Sequence, residues 1–449
     1  MNKKLALWSI AVGLGGLLFG LDTVVISGAN LPIKELWHLS PLFHGFFIMS
    51  MALWGTVVGA LFGGIPTQQF GRKKMLIWIG ILFTVSSLVT AIAPDPYIFS
   101  IFRFIGGLAI GASSVVIPTY ISEISTSKNR GKLVGLYQFN IVFGILVAFL
   151  SNYFLKGLGG VNDWRWMLGV LALPSILYTI LVMTVPESPR WLITKKNETA
   201  RAREILLLLG EEKVDEEIAL IISTANEAAT GGRSASFFQL KYKKILLLAF
   251  LVAFFNQASG INFILYYAPE ILEKAGLASK ESLFNSIAIG GINLIFTFIG
   301  LYLIDRVGRK QLLIIGSIGY IISLSMVSWC FHAHAGSVLL MVFLLFFIAS
   351  HAIGQGAVIW VFISEIFPNK VRAFGQAFGS SVHWVFAALI TLITPVFLDK
   401  NEGIFRENPW PIFAFFAFMM TLQLIWVLLK VPETKGVSLE DLQKQLVKD

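Results

Sequence analysis

The sequence predicts an all-α membrane protein: twelve transmembrane helices in two pseudosymmetric six-helix bundles, joined by a helical linker. Composition, the placement of charge and an internal repeat carry that expectation. Of 449 residues, 56% are hydrophobic and only 14% are charged, against about 25% charged in an ordinary soluble domain. Mean hydropathy is +0.76, and phenylalanine alone occurs 38 times. A soluble fold of this length cannot hide that much apolar surface. A bilayer accepts it, provided that it comes in runs of about 20 mostly apolar residues.

Twelve such runs are centred near residues 18, 54, 84, 109, 144, 175, 258, 294, 321, 350, 385 and 420. The first begins near Leu5, after Lys3 and Lys4. It is too long for a signal-peptide core and lacks a small-residue cleavage site, so it reads as a retained span. Between Pro186 and Lys244 the composition turns polar, with charges of both signs and the apolar spacing of short amphipathic helices. The expected organisation is a six-span bundle over 1–185, a cytoplasmic helical linker over 186–244, a second bundle over 245–430, and a tail over 431–449.

The net charge of +9 raises the question of nucleic acid. Its placement argues against that. Lys and Arg gather in alternate loops: Arg72, Lys73 and Lys74; Lys128, Arg130 and Lys132; Arg306, Arg309 and Lys310; Lys370 and Arg372. The loops between are short and near neutral or acidic. This is the positive-inside pattern, with both termini cytoplasmic in a multi-pass protein of the cell membrane. The single cysteine, Cys330, excludes an intramolecular disulfide and reads as a small core residue.

The halves repeat one another. GRKKML at Gly71 matches GRKQLL at Gly308. YISEIS with Glu123 matches FISEIF with Glu365, Arg130 matches Arg372, and VPESPR at Pro186 matches VPETKG at Pro432. All four recur at roughly 240 residues, in one order, the mark of duplication and of transporters that rock two bundles about a midplane site.

One acid interrupts the first run, Asp22 in GLLFGLDTVVISG. A charge inside a span costs about 2.5–3.5 kcal/mol on insertion scales, so a partner or a task is expected. Arg103 in FSIFRFIGG is the obvious partner. Counted from the outer helix ends, the two depths differ by roughly 5 Å at 1.5 Å per residue, within reach of two side chains.

GGLLFGLDTVVISGA, GRKKM, PESPRWL, SGINFILYYAPEI, DRVGRK and PETKGVSLEDL together resemble the sugar porter family of the major facilitator superfamily, from the first span to the tail. PESPR and PETKG in register are the specific elements; a lone GRK is weak. The resemblance implies twelve helices and transport of a monosaccharide, hexose or pentose, by alternating access. It also implies that Asp22 stands where proton-coupled bacterial members carry an aspartate and facilitators carry a neutral residue, with Arg103 accompanying it. Pairing with Arg103 favours the charged carboxylate; opening the pair in a desolvated cavity favours the protonated one. One acid alternating between the two loads and releases a proton. The competing reading is a static ion pair locking two helices.

A sugar carries many hydroxyls and no charge, so its site should offer two-way hydrogen bonders and an aromatic face. By resemblance, Gln138, Gln257, Asn262, Asn293, Trp360 and Trp384 match cavity-lining positions, and Tyr266 and Tyr267 match an extracellular gate. Gly260 is expected to loosen the helix between Gln257 and Asn262. Two positions depart from the family: Asn256 stands where a second glutamine is common, and His383 stands where Asn or Gln is usual, as a plausible hydroxyl partner. His38, His44, His332 and His334 fall in expected outer loops and read as surface residues; His351 reads as buried and has no assigned role. No metal-ligand spacing accompanies it.

The repeated charged residues resemble the family's cytoplasmic charge network: Arg72, Glu123, Arg130 and Glu187, mirrored by Arg309, Glu365, Arg372 and Glu433. Exposed pairs are each worth only about 0–1 kcal/mol, so the network matters more than any member. The second half keeps Asp305 and Arg306 before its GRK, whereas the first has Gln68 and Gln69, which predicts a weaker brace there.

The expected function is monosaccharide–proton symport by a monomer in the lipid bilayer, with no cofactor and no nucleic acid. A sugar uniporter with a structural Asp22 is the nearest rival, and a sugar sensor of this fold is a weaker one, since sensors typically carry long tails. The sequence holds no nucleophile–base set, phosphate loop or metal cluster that would suggest an enzyme.

Overall fold

A chain inside lipid must satisfy its backbone polar groups internally, and helices do so. The computed structural model describes residues 3–125, 130–211, 213–230, 240–368, 371–437, 442 and 446. Among them the structure is helical, without strands. Eleven helical segments are long and apolar enough to cross a bilayer, and a twelfth is the pair Pro41–Met49 and Met51–Phe62, bent by 40°. The bend falls at Ser50, whose hydroxyl donates to the Phe46 carbonyl. The polar segment between the halves forms two short amphipathic helices, Thr199–Leu209 and Val214–Thr230.

The seventh and tenth spans are broken, each at a glycine. The seventh runs as Lys243–Ala258 and Ile261–Lys274. Gly260 between them has φ +83°, a left-handed backbone that glycine adopts without strain, and a Cβ there would also press on the Phe416 ring. The tenth runs as Ser337–Ile353 and Gln355–Ile366, broken at Gly354. Both breaks lie in the second half.

Packing without a hydrophobic drive between helices depends on close backbone approach at small residues. The second and fourth spans cross through Gly55, Gly59, Gly107 and Gly111, where an added Cβ would collide with carbonyl oxygens of the facing helix. The halves meet along three helix pairs: first with seventh, second with eleventh, and fifth with eighth. Cys330 is buried as a small core residue.

Gly107→Ala should lower stability by about 1–3 kcal/mol, because its methyl group must displace the Ala52 carbonyl. Gly135→Ala, where a Cβ meets nothing, is the control. Thermal unfolding in detergent should separate the two; equal midpoints would refute the close-contact account.

Candidate functional site

Asp22 and Arg103 are 1% and 2% exposed. Arg103 Nη1 donates to Asp22 Oδ1 at 2.5 Å, and Nη2 reaches the Asp22 carbonyl oxygen at 3.3 Å. The pair therefore joins the first span to the fourth. It is not saturated: Asp22 Oδ2 and Arg103 Nε are buried without a hydrogen-bond partner. Gly106 makes the room, since a Cβ there would sit 3.2 Å from Oδ2. Tyr266, on the seventh span, is fully buried, and its hydroxyl also lacks a partner.

A cavity of about 620 Å³ lies between the halves. Gln138, Gln257, Asn262, Asn293, Trp360, His383 and Trp384 all line it. They come from the fifth, seventh, eighth, tenth and eleventh spans, so one wall is contributed by the first half and most of the polar groups by the second. Gln257 is the hub. Its Nε2 donates to Asn256 Oδ1 at 3.0 Å and lies 3.2–3.3 Å from the His383 ring nitrogens, while its Oε1 accepts from Asn262 Nδ2 at 2.9 Å. Asn262 reaches back because the break at Gly260 separates the two residues. Trp360 and Trp384 flank His383, with ring centroids 5.0 and 4.8 Å away. Sequence reasoning gave no role to Phe19 and Thr23, which bring the first span to the same cavity on either side of Asp22. Their spacing around the buried acid was the available signal.

No Asp, Glu, Lys or Arg lines the cavity among the described residues. It suits an uncharged ligand rich in hydroxyls, held by amides and covered by indole faces.

One end of the cavity is open. Its lining reaches Thr119, Ser364 and Gln376, next in sequence to the charged motifs. At that motif face each half ties its own knot. Arg72 grips Glu123 through two bonds of 2.9 and 2.8 Å, and Glu187 accepts the Arg72 and Lys73 backbone N–H groups at 2.9 and 3.1 Å. Burial pushes the Glu187 carboxyl above the usual glutamate range, against the pull of those N–H groups and of Arg72. In the second half Arg309 grips Glu365 at 3.1 and 2.7 Å, and Glu433 accepts the Arg309 and Lys310 N–H groups at 2.9 and 3.0 Å. Arg309 also meets Asp305 at 3.1 Å. Gln68 stands at the matching place and its side chain cannot supply that charge; its backbone carbonyl accepts from Trp191 Nε1 at 2.8 Å. Neither knot crosses between the halves. Arg372 Nη2 is buried without a partner, and the Arg130 side chain lies outside the described residues.

The other end is closed. Tyr266 and Tyr267 are buried just beyond the cavity, and the Tyr267 hydroxyl donates to the Thr391 carbonyl at 2.8 Å, joining the seventh and eleventh spans. Farther out, Asn30 Nδ2 donates to Glu270 Oε2 at 2.7 Å, and Asn30 Oδ1 lies 2.6 Å from His44 Nε2. This buried cluster ties the first and second spans to the seventh. Lys34 pairs with Asp399 beside it, again across the halves. His44 thus departs from the surface position expected of it. The second span already begins at Pro41 and carries His44 inward, with Gly45 packed on the Leu392 carbonyl. His38, His332 and His334 are exposed. Glu270 belongs to the YYAPE motif, whose acid in an apolar run was a readable signal.

Comparison with known proteins agrees with this geometry. The profile of the family described as "Sugar (and other) transporter" matches residues 8–446. The arabinose-proton symporter of Bacillus subtilis (strain 168) is 36% identical, over 98% of this chain and 94% of that protein. The D-xylose-proton symporter of Escherichia coli (strain K12) is 32% identical over 97% and 94%. The solved structure of a partially occluded inward open conformation of the xylose transporter XylE from E. coli superposes with a TM-score of 0.85 at 30% identity, over 97% of this chain and 100% of that one.

Asn30→Ala removes both bonds of the outer cluster and leaves Glu270 buried without its donor. At about 1–3 kcal/mol for a buried acceptor left without its donor, the conformer open at that end should gain roughly fivefold or more. With Cys330 replaced, a cysteine at Leu265 should react correspondingly faster with an impermeant thiol reagent added from the closed side. Unchanged labelling would mean that the cluster does not hold that end shut.

Proposed function

The chain belongs to the sugar transporter family, and we propose that within it the protein is a monosaccharide–proton symporter of the cell membrane that works as a monomer. It is an integral membrane transporter and not an enzyme. The substrate class inferred is a pentose or hexose, since relatives are named for arabinose, D-xylose and galactose. The observation that carries the reading is the pairing of an uncharged amide-and-indole cavity with a buried Asp22–Arg103 ion pair on the helix that Phe19 and Thr23 present to that cavity.

With the positive-inside orientation, the motif face and both termini are cytoplasmic and the open end of the cavity faces inward. Alternating access then has a physical sequence. In the inward-open form the Asp22 carboxylate is charged and held by Arg103, its proton released. Return to the outward form must open the gate of Tyr266 and Tyr267 and separate the Asn30–Glu270 cluster across the halves. That rearrangement moves the first span, which carries Asp22. A carboxylate drawn from its guanidinium in a dry site favours the protonated state, so a proton loads from outside. Sugar bound across the halves steadies the occluded form, in which the loaded pair travels inward. The amides of Gln257 and Asn262, already bonded to each other, exchange those bonds for sugar hydroxyls at little cost. The charge knots rebuild across the cytoplasmic face when the cavity closes there. Arg372, with Nη2 unpartnered in the present form, is available for such a contact. A uniporter with a static Asp22–Arg103 pair is the second reading, favoured only by the tightness of that pair.

Two outcomes test the proposal. Asp22→Asn should abolish sugar accumulation driven by an imposed pH gradient in proteoliposomes while leaving equilibrium sugar binding in place. A wild type indifferent to the gradient, or a mutant that still accumulates, would sink coupling through Asp22. Gln257→Ala should weaken sugar binding by about 1–3 kcal/mol, read by titration calorimetry of the purified protein. Unchanged affinity there and in Asn262→Ala would place the sugar elsewhere.

A further inference from the structure

Resting on the sugar reading, we infer that His351 is a further specificity-determining residue of the cavity, and that Tyr320 sets which of its nitrogens carries the proton. His351 lines the cavity on the tenth span, just before the break at Gly354. Its Nδ1 lies 2.6 Å from the hydroxyl of Tyr320 on the ninth span, a tyrosine that is fully buried. A phenol is a stronger acid than a neutral imidazole, and an imidazole nitrogen is a better acceptor than a phenol oxygen. Tyr320 therefore donates to Nδ1, and the ring proton sits on Nε2.

Nε2 is the free edge. No partner is bonded to it among the described residues, and the residue is only half-buried. That edge lies over Gly356, another lining residue; a Cβ built there would meet Nε2 at 3.3 Å and Cδ2 at 3.2 Å. Any larger side chain at 356 would cover it. Tyr320 behind and a glycine in front together fix a single N–H donor facing the cavity. Around it the polar wall is made of amides and His383, each able to accept as well as donate. A donor fixed in one tautomer behaves differently: it can only give a hydrogen bond. It reads one hydroxyl oxygen of the ligand, and a ligand lacking an oxygen there leaves a desolvated N–H without an acceptor. Tyr320 acts through His351 and is a positioning residue.

The test uses the full-length purified protein and D-xylose, L-arabinose, D-glucose and D-galactose as probes, followed by monodeoxy analogues of whichever binds most tightly. In the wild type one analogue should bind about tenfold more weakly than the others. His351→Phe should lose affinity for the parent sugar by about that factor and no further for that one analogue, while its ranking of the rest stays as in the wild type. His351→Gln, which restores an N–H donor, should regain part of the discrimination. Tyr320→Phe, which frees the tautomer, should weaken it at the same hydroxyl. If His351→Phe discriminates every analogue as the wild type does, or weakens all of them by one common factor, His351 is a packing residue and the inference is overturned. Failure of all four sugars to bind the wild type would overturn the sugar reading itself, and this inference with it.

Discussion

Lipid offers no hydrogen bonds, so a polar group that this chain carries into the bilayer is stabilised by meeting another part of the chain. That constraint organises the molecule. Three sets of its buried polar side chains matter most here: the Asn30–His44–Glu270 cluster at one end, the Asp22–Arg103 pair and the amide wall at the middle, and the arginine–glutamate knots at the motif face. Each level lies where helices from different places in the sequence must meet. The polar groups therefore act as registration points for helices that would otherwise slide on one another's apolar surfaces.

The levels differ in whether they cross between the halves. The outer cluster and Lys34–Asp399 cross; the knots at the motif face do not. The crossing contacts described thus sit at the closed end. Rocking requires that crossing contacts at one end be exchanged for crossing contacts at the other. The knots are suited to this because arginine holds its carboxylate through a planar, two-pronged contact that re-forms with a new partner of the same shape. The extra Asp305–Arg309 contact exists only in the second half, so the two knots do not start from equal strength.

The middle level is where transport chemistry meets binding. The ion pair is kept out of the cavity, one helix face away, and the ligand meets only neutral groups. This separation suits a neutral sugar. A charge on the cavity wall would hold ions and water, whereas amides and hydroxyl-seeking imidazoles exchange partners at similar energy. The helix break at Gly260 is what brings those amides together, since in an unbroken helix Gln257 and Asn262, five residues apart, would point about 140° away from one another.

What the sequence determined by itself is whatever local patterning and length control. Hydropathy over about 20 residues marks each span, and duplication of four motifs marks the two halves. Depth counting along helices pointed to Arg103 as the partner of Asp22, and the two do pair, although the first span runs on to Trp37 and its outer end is not level with the start of the fourth at Pro96. Gly260 was legible as a break from local sequence. What only the tertiary structure decided is which distant groups meet. Asn30 and Glu270 lie in different halves, and their contact depends on how the bundles are tilted. His44 looked like a loop residue because the second span begins early and bends at Ser50, where the apolar run gives no sign of it. His351 had no visible task because its partner Tyr320 sits on another helix, and rotation about helix axes, which sets that meeting, is fixed by packing across the whole bundle.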